Sequence, residues 1–148
     1  ERAMKSGLGM YAVELGELRM AAVVVVNALG DIFDPSTGKK IAGLLTADGT
    51  SFGDSCEELW KMGRRENLFT GNTTIGAVFT NGKFNKAQMN KIASMTRNAY
   101  ARCINPVGTM ADGDSIYAAS AGDVEADLNV AGTLAAYVME RAIVAAIR

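Results

Sequence analysis

The tightest constraint on the fold is a run of seven apolar residues, Met20-Ala-Ala-Val-Val-Val-Val26. It is too short for a typical buried helix and well below the roughly 18 apolar residues of a membrane span. Its β-branched content favours a strand buried within a sheet, taken here as Leu18–Asn27. No longer apolar run exists, so nothing in the sequence is expected to cross a bilayer. The glycine-rich Lys5-Ser-Gly-Leu-Gly9 reads as a turn leading into a partner strand, Met10–Leu15. Ala28–Gly30 leaves the sheet, and Asp34-Pro-Ser-Thr-Gly38 is a turn signal.

Residues 46–72 hold few periodic apolar positions and read as a long exposed segment with a short helix around Cys56–Met62; such loops are usually functional or mobile. A strand follows over Thr73–Thr80, closed by the Asn81-Gly82 turn. Asn85 is an N-cap for a helix running to about Cys103, with Met89, Ile92, Ala93, Ala99 and Cys103 on its apolar face. Asn105-Pro106 ends that helix, and Asp112–Ser120 is a turn followed by a strand through Ile116–Ala119. A last helix spans 124–147, facing the core with Leu128, Ala131, Leu134, Ala135, Val138, Ala142, Ile143 and Ala146. The order of strands, loop, strand, helix, strand and helix predicts sheets sandwiched by helices.

The 148 residues contain no histidine. That excludes, within this chain, a Ser-His-Asp or Cys-His catalytic group and the common histidine zinc sites. A base working at neutral pH must be a perturbed lysine, a carboxylate or a chain-terminal amine. A net charge of −1 gives no electrostatic reason to expect a nucleic-acid or membrane partner. Cys56 and Cys103 form no CxxC pair and read as free thiols, consistent with a reducing, cytoplasmic setting. The start, Glu1-Arg-Ala-Met4, is neither an initiator methionine nor a signal peptide, and the chain reads as a piece of a longer precursor.

Two nucleotide-site lookalikes fail on context. Gly7-Leu-Gly-Met-Tyr-Ala12 fits G-x-G-x-x-A, but no strand precedes it and no helix follows. Gly38-Lys39 lacks the upstream glycine of a P-loop, since Phe33 stands there, and Lys40 replaces the hydroxyl residue.

The sharper constellation is Gly71-Asn-Thr-Thr-Ile-Gly76, where a polar loop ends and a hydroxyl residue opens a core strand. This is what a self-cleaving precursor needs. The Thr73 hydroxyl attacks the Asn72 carbonyl, the acyl group shifts from nitrogen to oxygen, and water hydrolyses the ester. The freed Thr73 amine, with a reference pKa of about 7.7–8.0, can then serve as the base for its own hydroxyl. The bland alternative is a loop-to-strand junction made of good β-formers. Asp112-Gly-Asp114 could orient such an amine, or be only a turn or a weak cation site. Asn27, closing the valine run, could donate to an oxyanion or satisfy local backbone. Lys5 is either a solvated surface lysine or a cation that depresses the amine's pKa.

Together these stretches resemble the C-terminal portion of the DmpA/BapA-type β-aminopeptidases, peptidase family S58, which includes the nylon-oligomer hydrolases. The resemblance rests on Lys5–Gly9, Val23–Val26 with Asn27-Ala-Leu-Gly-Asp31, Gly71–Gly76 with Thr80-Asn81, and Asp112-Gly-Asp114 in order. It implies an αββα sandwich of the N-terminal-nucleophile hydrolase type, of which this chain is part. It also implies a precursor cut between Asn72 and Thr73. Residues 1–72 would be the C-terminal part of the α subunit, and 73–148 the β subunit. Thr73 would be nucleophile and base, Asn27 would line the oxyanion site, and Lys5, Asp112 and Asp114 would shape the charge around the amine. The implied activity is an aminopeptidase or amidase acting on small peptides, aminoacyl amides or amide oligomers, without metal or cofactor. An acyl transferase of the same fold and a non-catalytic binding domain are the alternatives. The implied partners are the N-terminal portion of the precursor and further αβ units in a homo-oligomer. The alanine-rich last helix suits close helix contact, within or between subunits.

Overall fold

The computed structural model describes residues 2–63 and 71–147, so the stretch 64–70 of the expected long loop lies outside the described residues. The elements in chain order are β1 (Leu8–Leu15), β2 (Leu18–Val25), β3 (Asp31–Asp34), β4 (Lys39–Ala42), α1 (Ser55–Met62), β5 (Ile75–Gly82), α2 (Lys86–Cys103), β6 (Ile104–Asn105), β7 (Ser115–Val124) and α3 (Leu128–Ala145). Four strands form one sheet in the order β1-β2-β5-β7, and three form a smaller sheet in the order β4-β3-β6. In the larger sheet β2 pairs antiparallel with β1 and β5, while β5 and β7 run parallel, joined by the crossover helix α2.

The valine run forms a strand, but with only one face in the core. Leu18, Met20, Ala22 and Val24 are buried against α3. Each fully buried Val, Leu or Met side chain contributes roughly 1.5–3 kcal/mol. The opposite face of the sheet presents Leu8, Met10, Val25, Ile75, Phe79 and Tyr117, all exposed, the last at 65%. The expectation of burial on both faces thus fails among the described residues. Both faces are apolar, but this chain packs helices on one of them.

The helices follow their caps. The Asn85 side chain accepts the Gln88 N–H while the Gln88 side chain accepts the Asn85 N–H, a reciprocal cap that fixes the start of α2. Met89, Ile92, Thr96, Ala99, Tyr100 and Cys103 are buried on its core side, and Ala93 is only half-buried. The last helix starts at Leu128 rather than 124, because the Asp127 carboxylate accepts the N–H groups of Asn129 and Val130. The sheet claims the residues before it, with Val124 opposite Gly82. The small residues of α3 serve contacts inside the chain: α3 packs on α2, β1 and β2. A Cβ on Gly9 would lie 1.9 Å from the Ala142 carbonyl oxygen. Gly9 therefore belongs to β1 as the point of closest helix approach, not to the expected turn. By length and mean hydropathy of 1.2, α3 could cross a membrane, but half of it is buried as a core helix of this domain.

Candidate active site

The candidate nucleophile sits where β5 begins, between the end of β2 and the start of β7. The backbone extends the sheet by two residues beyond Ile75, so Thr73 is held from both sides. Its N–H donates to the Asn27 carbonyl at 2.8 Å, continuing the β2–β5 pairing. Across from it, the Gly113 N–H donates to the Asn72 carbonyl at 3.0 Å, and the Ser115 N–H donates to the Thr74 carbonyl at 3.0 Å. These bonds continue the β5–β7 ladder, with Asn72 bridged to Asp112. At Thr74 a side chain takes over as partner, its N–H donating to Asp114 Oδ1 at 2.8 Å. The Thr73 hydroxyl donates to the Asn72 carbonyl oxygen at 2.6 Å.

Of the expected site residues, the fold gathers Asn27, Asn72, Thr73, Asp112 and Asp114 around this junction. Their side chains are not all aimed at it. The Asn27 amide donates to the Gly71 carbonyl at 2.8 Å, one residue upstream of the Asn72 carbonyl. The Asp112 carboxylate is turned aside, accepting the Thr109 N–H and hydroxyl, each at 2.8 Å. Lys5 is exposed and makes no side-chain hydrogen bond or ion pair among the described residues. Its segment nevertheless runs beside Asn27, since the Gly7 carbonyl accepts the Val26 N–H at 3.0 Å.

Asp114 is electrostatically distinct. Burial raises its carboxyl above the ordinary aspartate range, and the Asp112 charge adds to the effect. The Thr74 and Gly108 N–H groups and the Arg97 guanidinium oppose the rise without cancelling it. A half-buried carboxyl with a raised pKa beside a candidate nucleophile is a signature of functional sites.

Tyr100 and Gly113 were not legible as site residues. The Tyr100 hydroxyl, buried on α2, donates to the carbonyls of Ser115 at 3.2 Å and Thr74 at 3.4 Å, tying β5 to β7 beside the junction. Burial pushes its pKa upward, so it stays a donor. In sequence Tyr100 is one more member of an amphipathic stripe, and Gly113 looks like a turn glycine. Beside Asn72 lies a cavity of 290 Å³, walled mainly by apolar side chains including Met4, Val26, Leu29 and Leu59. Arg2 and Glu58, 3.5 Å apart, also line it.

Comparison with known proteins fits this geometry. The model of peptidase family S58 matches residues 2–148. The chain belongs to peptidase family S58. An uncharacterized aminopeptidase of Mycobacterium leprae is 32% identical over 125 residues, covering 83% of this chain and 34% of that protein. The 6-aminohexanoate-oligomer endohydrolase of Paenarthrobacter ureafaciens is 29% identical over 128 residues, covering 84% of this chain and 36% of the enzyme. Among solved structures, the L-aminopeptidase D-Ala-esterase/amidase of Ochrobactrum anthropi, described as a variant of the Ntn hydrolase fold, superimposes with a TM-score of 0.65 at 18% identity. That match covers 98% of this chain and 40% of the other. A Burkholderia β-aminopeptidase gives a TM-score of 0.57 at 17% identity, over 98% of this chain and 42% of the other. The S58 chain therefore carries part of the αββα sandwich of the Ntn hydrolase fold. It spans about a third of the length of the curated relatives it matches.

Proposed function

We propose that this S58 chain is the catalytic portion of a self-processing amide hydrolase. The bond between Asn72 and Thr73 is cut by the Thr73 hydroxyl, and the new N-terminal Thr73 becomes the nucleophile. The observation that carries this reading is the placement of the Thr73 hydroxyl on the Asn72 carbonyl, 2.6 Å from its oxygen, in a backbone clamped from both sides. The chain has no histidine to act as base, and a freed α-amine supplies one at neutral pH. Before cutting, the Thr73 nitrogen is an amide whose N–H is held by the Asn27 carbonyl. After cutting, the same carbonyl orients the amine, and the Asp114 carboxyl next to Thr74 N–H tunes its proton affinity.

The substrate is an amide of a small peptide, an aminoacyl amide or an amide oligomer, whose acyl chain enters the apolar cavity beside Asn72. The relatives' names, aminopeptidase and 6-aminohexanoate-oligomer endohydrolase, support this class. The apolar face of the large sheet is covered by the N-terminal portion of the precursor, which supplies the second sheet. The assembled αβ units form a homo-oligomer.

Intact mass and N-terminal sequencing of the whole translated polypeptide test the reading. The wild type yields a fragment beginning at Thr73, while Thr73→Ala stays whole and loses amidase activity by at least about 10³-fold. A Thr73→Ala protein that hydrolyses amides at the wild-type rate overturns it.

A further inference from the structure

The two carboxylates that flank Gly113 both have partners away from the Asn72 carbonyl. Asp112 is tied to Thr109, and Asp114 to the Thr74 N–H. The Asn27 amide, the obvious side-chain donor, is turned to the Gly71 carbonyl and makes no bond to the Asn72 carbonyl among the described residues. What reaches the Asn72 carbonyl oxygen, apart from the Thr73 hydroxyl itself, is the backbone N–H of Gly113 at 3.0 Å. We infer that the Gly113 N–H is the oxyanion donor of the self-cleavage step, an inference that rests on the proposed cutting between Asn72 and Thr73.

In that step the Thr73 Oγ forms a bond to the Asn72 carbonyl carbon, and the π pair moves onto the carbonyl oxygen. The negative charge develops on the atom the Gly113 N–H already faces. The hydroxyl proton passes through water to the Thr73 nitrogen, the carbon–nitrogen bond breaks, and the carbonyl re-forms as an ester of Thr73. Water then hydrolyses that ester, leaving the Asn72 carboxylate and the free hydroxyl. A donor preorganised by the sheet needs no rearrangement as charge appears. Gly113 is fixed by the next rung of the ladder, Ser115 N–H to Thr74 carbonyl at 3.0 Å. Its lack of a side chain is also required here, because a Cβ would lie 2.8 Å from Thr73 Oγ1 and push the nucleophile away. The glycine of Asp-Gly-Asp thus has a chemical reason: it lets nucleophile and donor share one carbonyl.

The test removes one hydrogen atom. In the whole polypeptide, assembled by ligation, the Gly113 amide is replaced by an ester through glycolic acid, which deletes the donor and keeps the shape. An ester at Ser115 deletes the neighbouring rung and serves as control. The Gly113 ester is expected to slow appearance of the Thr73 terminus about 10²-fold, and the Ser115 ester to change it less than about threefold. Equal slowing by both esters, or wild-type cutting by the Gly113 ester, overturns the oxyanion role while leaving self-cleavage standing. A wild-type polypeptide that is never cut before Thr73 overturns the underlying reading, and this inference with it. If the Gly113 ester does not fold, amide exchange at Gly113 decides. Protection in the uncut Thr73→Ala protein that drops at least about tenfold in the cut enzyme supports the role, and an equally fast Gly113 amide in both overturns it.

Discussion

Two buried or half-buried aspartates, one on β3 of the small sheet and one just before β7 of the large sheet, show how the same side chain is used in opposite ways. Asp31, on β3 of the small sheet, is 2% exposed and fully engaged. Its carboxylate takes the Lys40 ammonium at 2.6 Å, the Leu44 N–H at 2.9 Å, and the Ser55 N–H and hydroxyl at 3.0 and 2.7 Å. Burial alone would raise its pKa, but the lysine and these donors outweigh burial and hold it below the ordinary aspartate value. Asp114, beside Thr73, has fewer donors and a like charge nearby, so burial wins and its pKa rises. The first carboxylate is a knot that closes β3, β4 and the start of α1. The second is costly to charge and lies next to the proposed nucleophile, Thr73. A full set of donors keeps Asp31 charged, and fewer donors leave Asp114 easier to protonate.

The largest effect that would break this contrast is on stability. Asp31→Ala leaves the Lys40 ammonium, only 16% exposed, without its carboxylate. The expected loss is about 3 kcal/mol in urea unfolding of the uncut Thr73→Ala protein, in line with breaking a buried pair from one side. Asp114→Asn in the same background should change stability by less than about 1 kcal/mol, since it removes a charge that burial disfavours. If Asp114→Asn costs as much as Asp31→Ala, the two carboxylates are the same kind of structural group.

Next in size is the effect on processing. In the otherwise wild-type polypeptide, Asp114→Asn should slow appearance of the Thr73 terminus roughly tenfold or more, a typical share for a group that moves or orients a proton. Asp31→Asn, assayed where it remains folded, should leave that rate within about threefold. A rate that follows stability alone, equal in both variants at equal folded fraction, would remove the distinction.

Which parts of this contrast could be read from residues alone follows from where the information lies. The valine run, the Asn85 cap and the periodic face of α2 are local patterns, and each produced its element. The Gly71–Thr74 junction was likewise legible, because a hydroxyl after a loop and before a strand is a chemical pattern in one dimension. The small sheet was not. Asp31-Ile-Phe-Asp34 carries two acids that argue against a buried strand, and only the distant Lys40, Leu44 and Ser55 make one of them tolerable. Gly113 and Tyr100 were hidden for the same reason: their roles are set by strands and a helix that meet 41 and 26 positions away from their partners Asn72 and Thr74 in sequence. The short helix expected around Cys56–Met62 is α1, capped by the Asp54 side chain. Cys103 sits in the core as its stripe implied, where burial pushes its thiol up to about 12.

A smaller effect, but one with a sign, comes from pH. The folded pKa of Asp31 lies below the unfolded reference of about 3.9, so its stabilisation is complete above that value and is lost as pH falls through the folded pKa. Asp114 behaves in the opposite sense. Its raised folded pKa makes the native state bind the proton first, so its unfavourable contribution is present in full above the folded pKa and is relieved as pH falls toward 3.9. Subtracting the unfolding curves of Asp31→Asn and Asp114→Asn from that of the uncut parent, between pH 3 and 7, should therefore give differences of opposite slope. Two differences of the same slope would mean that the carboxylates share one environment.

The smallest expected effect separates a shifted pKa from a functional one. Asp48, at the surface, accepts the Thr46 hydroxyl at 2.5 Å and the Thr50 N–H and hydroxyl at 3.1 and 2.8 Å, which lowers its pKa to about 2. It is strongly perturbed but stays in water, far along the chain from Thr73, within the turn bounded by the Leu45–Phe52 bridge. Its shift has local hydrogen bonds as its cause. Asp48→Asn should accordingly leave cutting before Thr73 unchanged and move the unfolding midpoint little. A processing defect in that variant would mean that hydrogen-bonded surface carboxylates reach the junction too, and that the burial of Asp114 is not what distinguishes it.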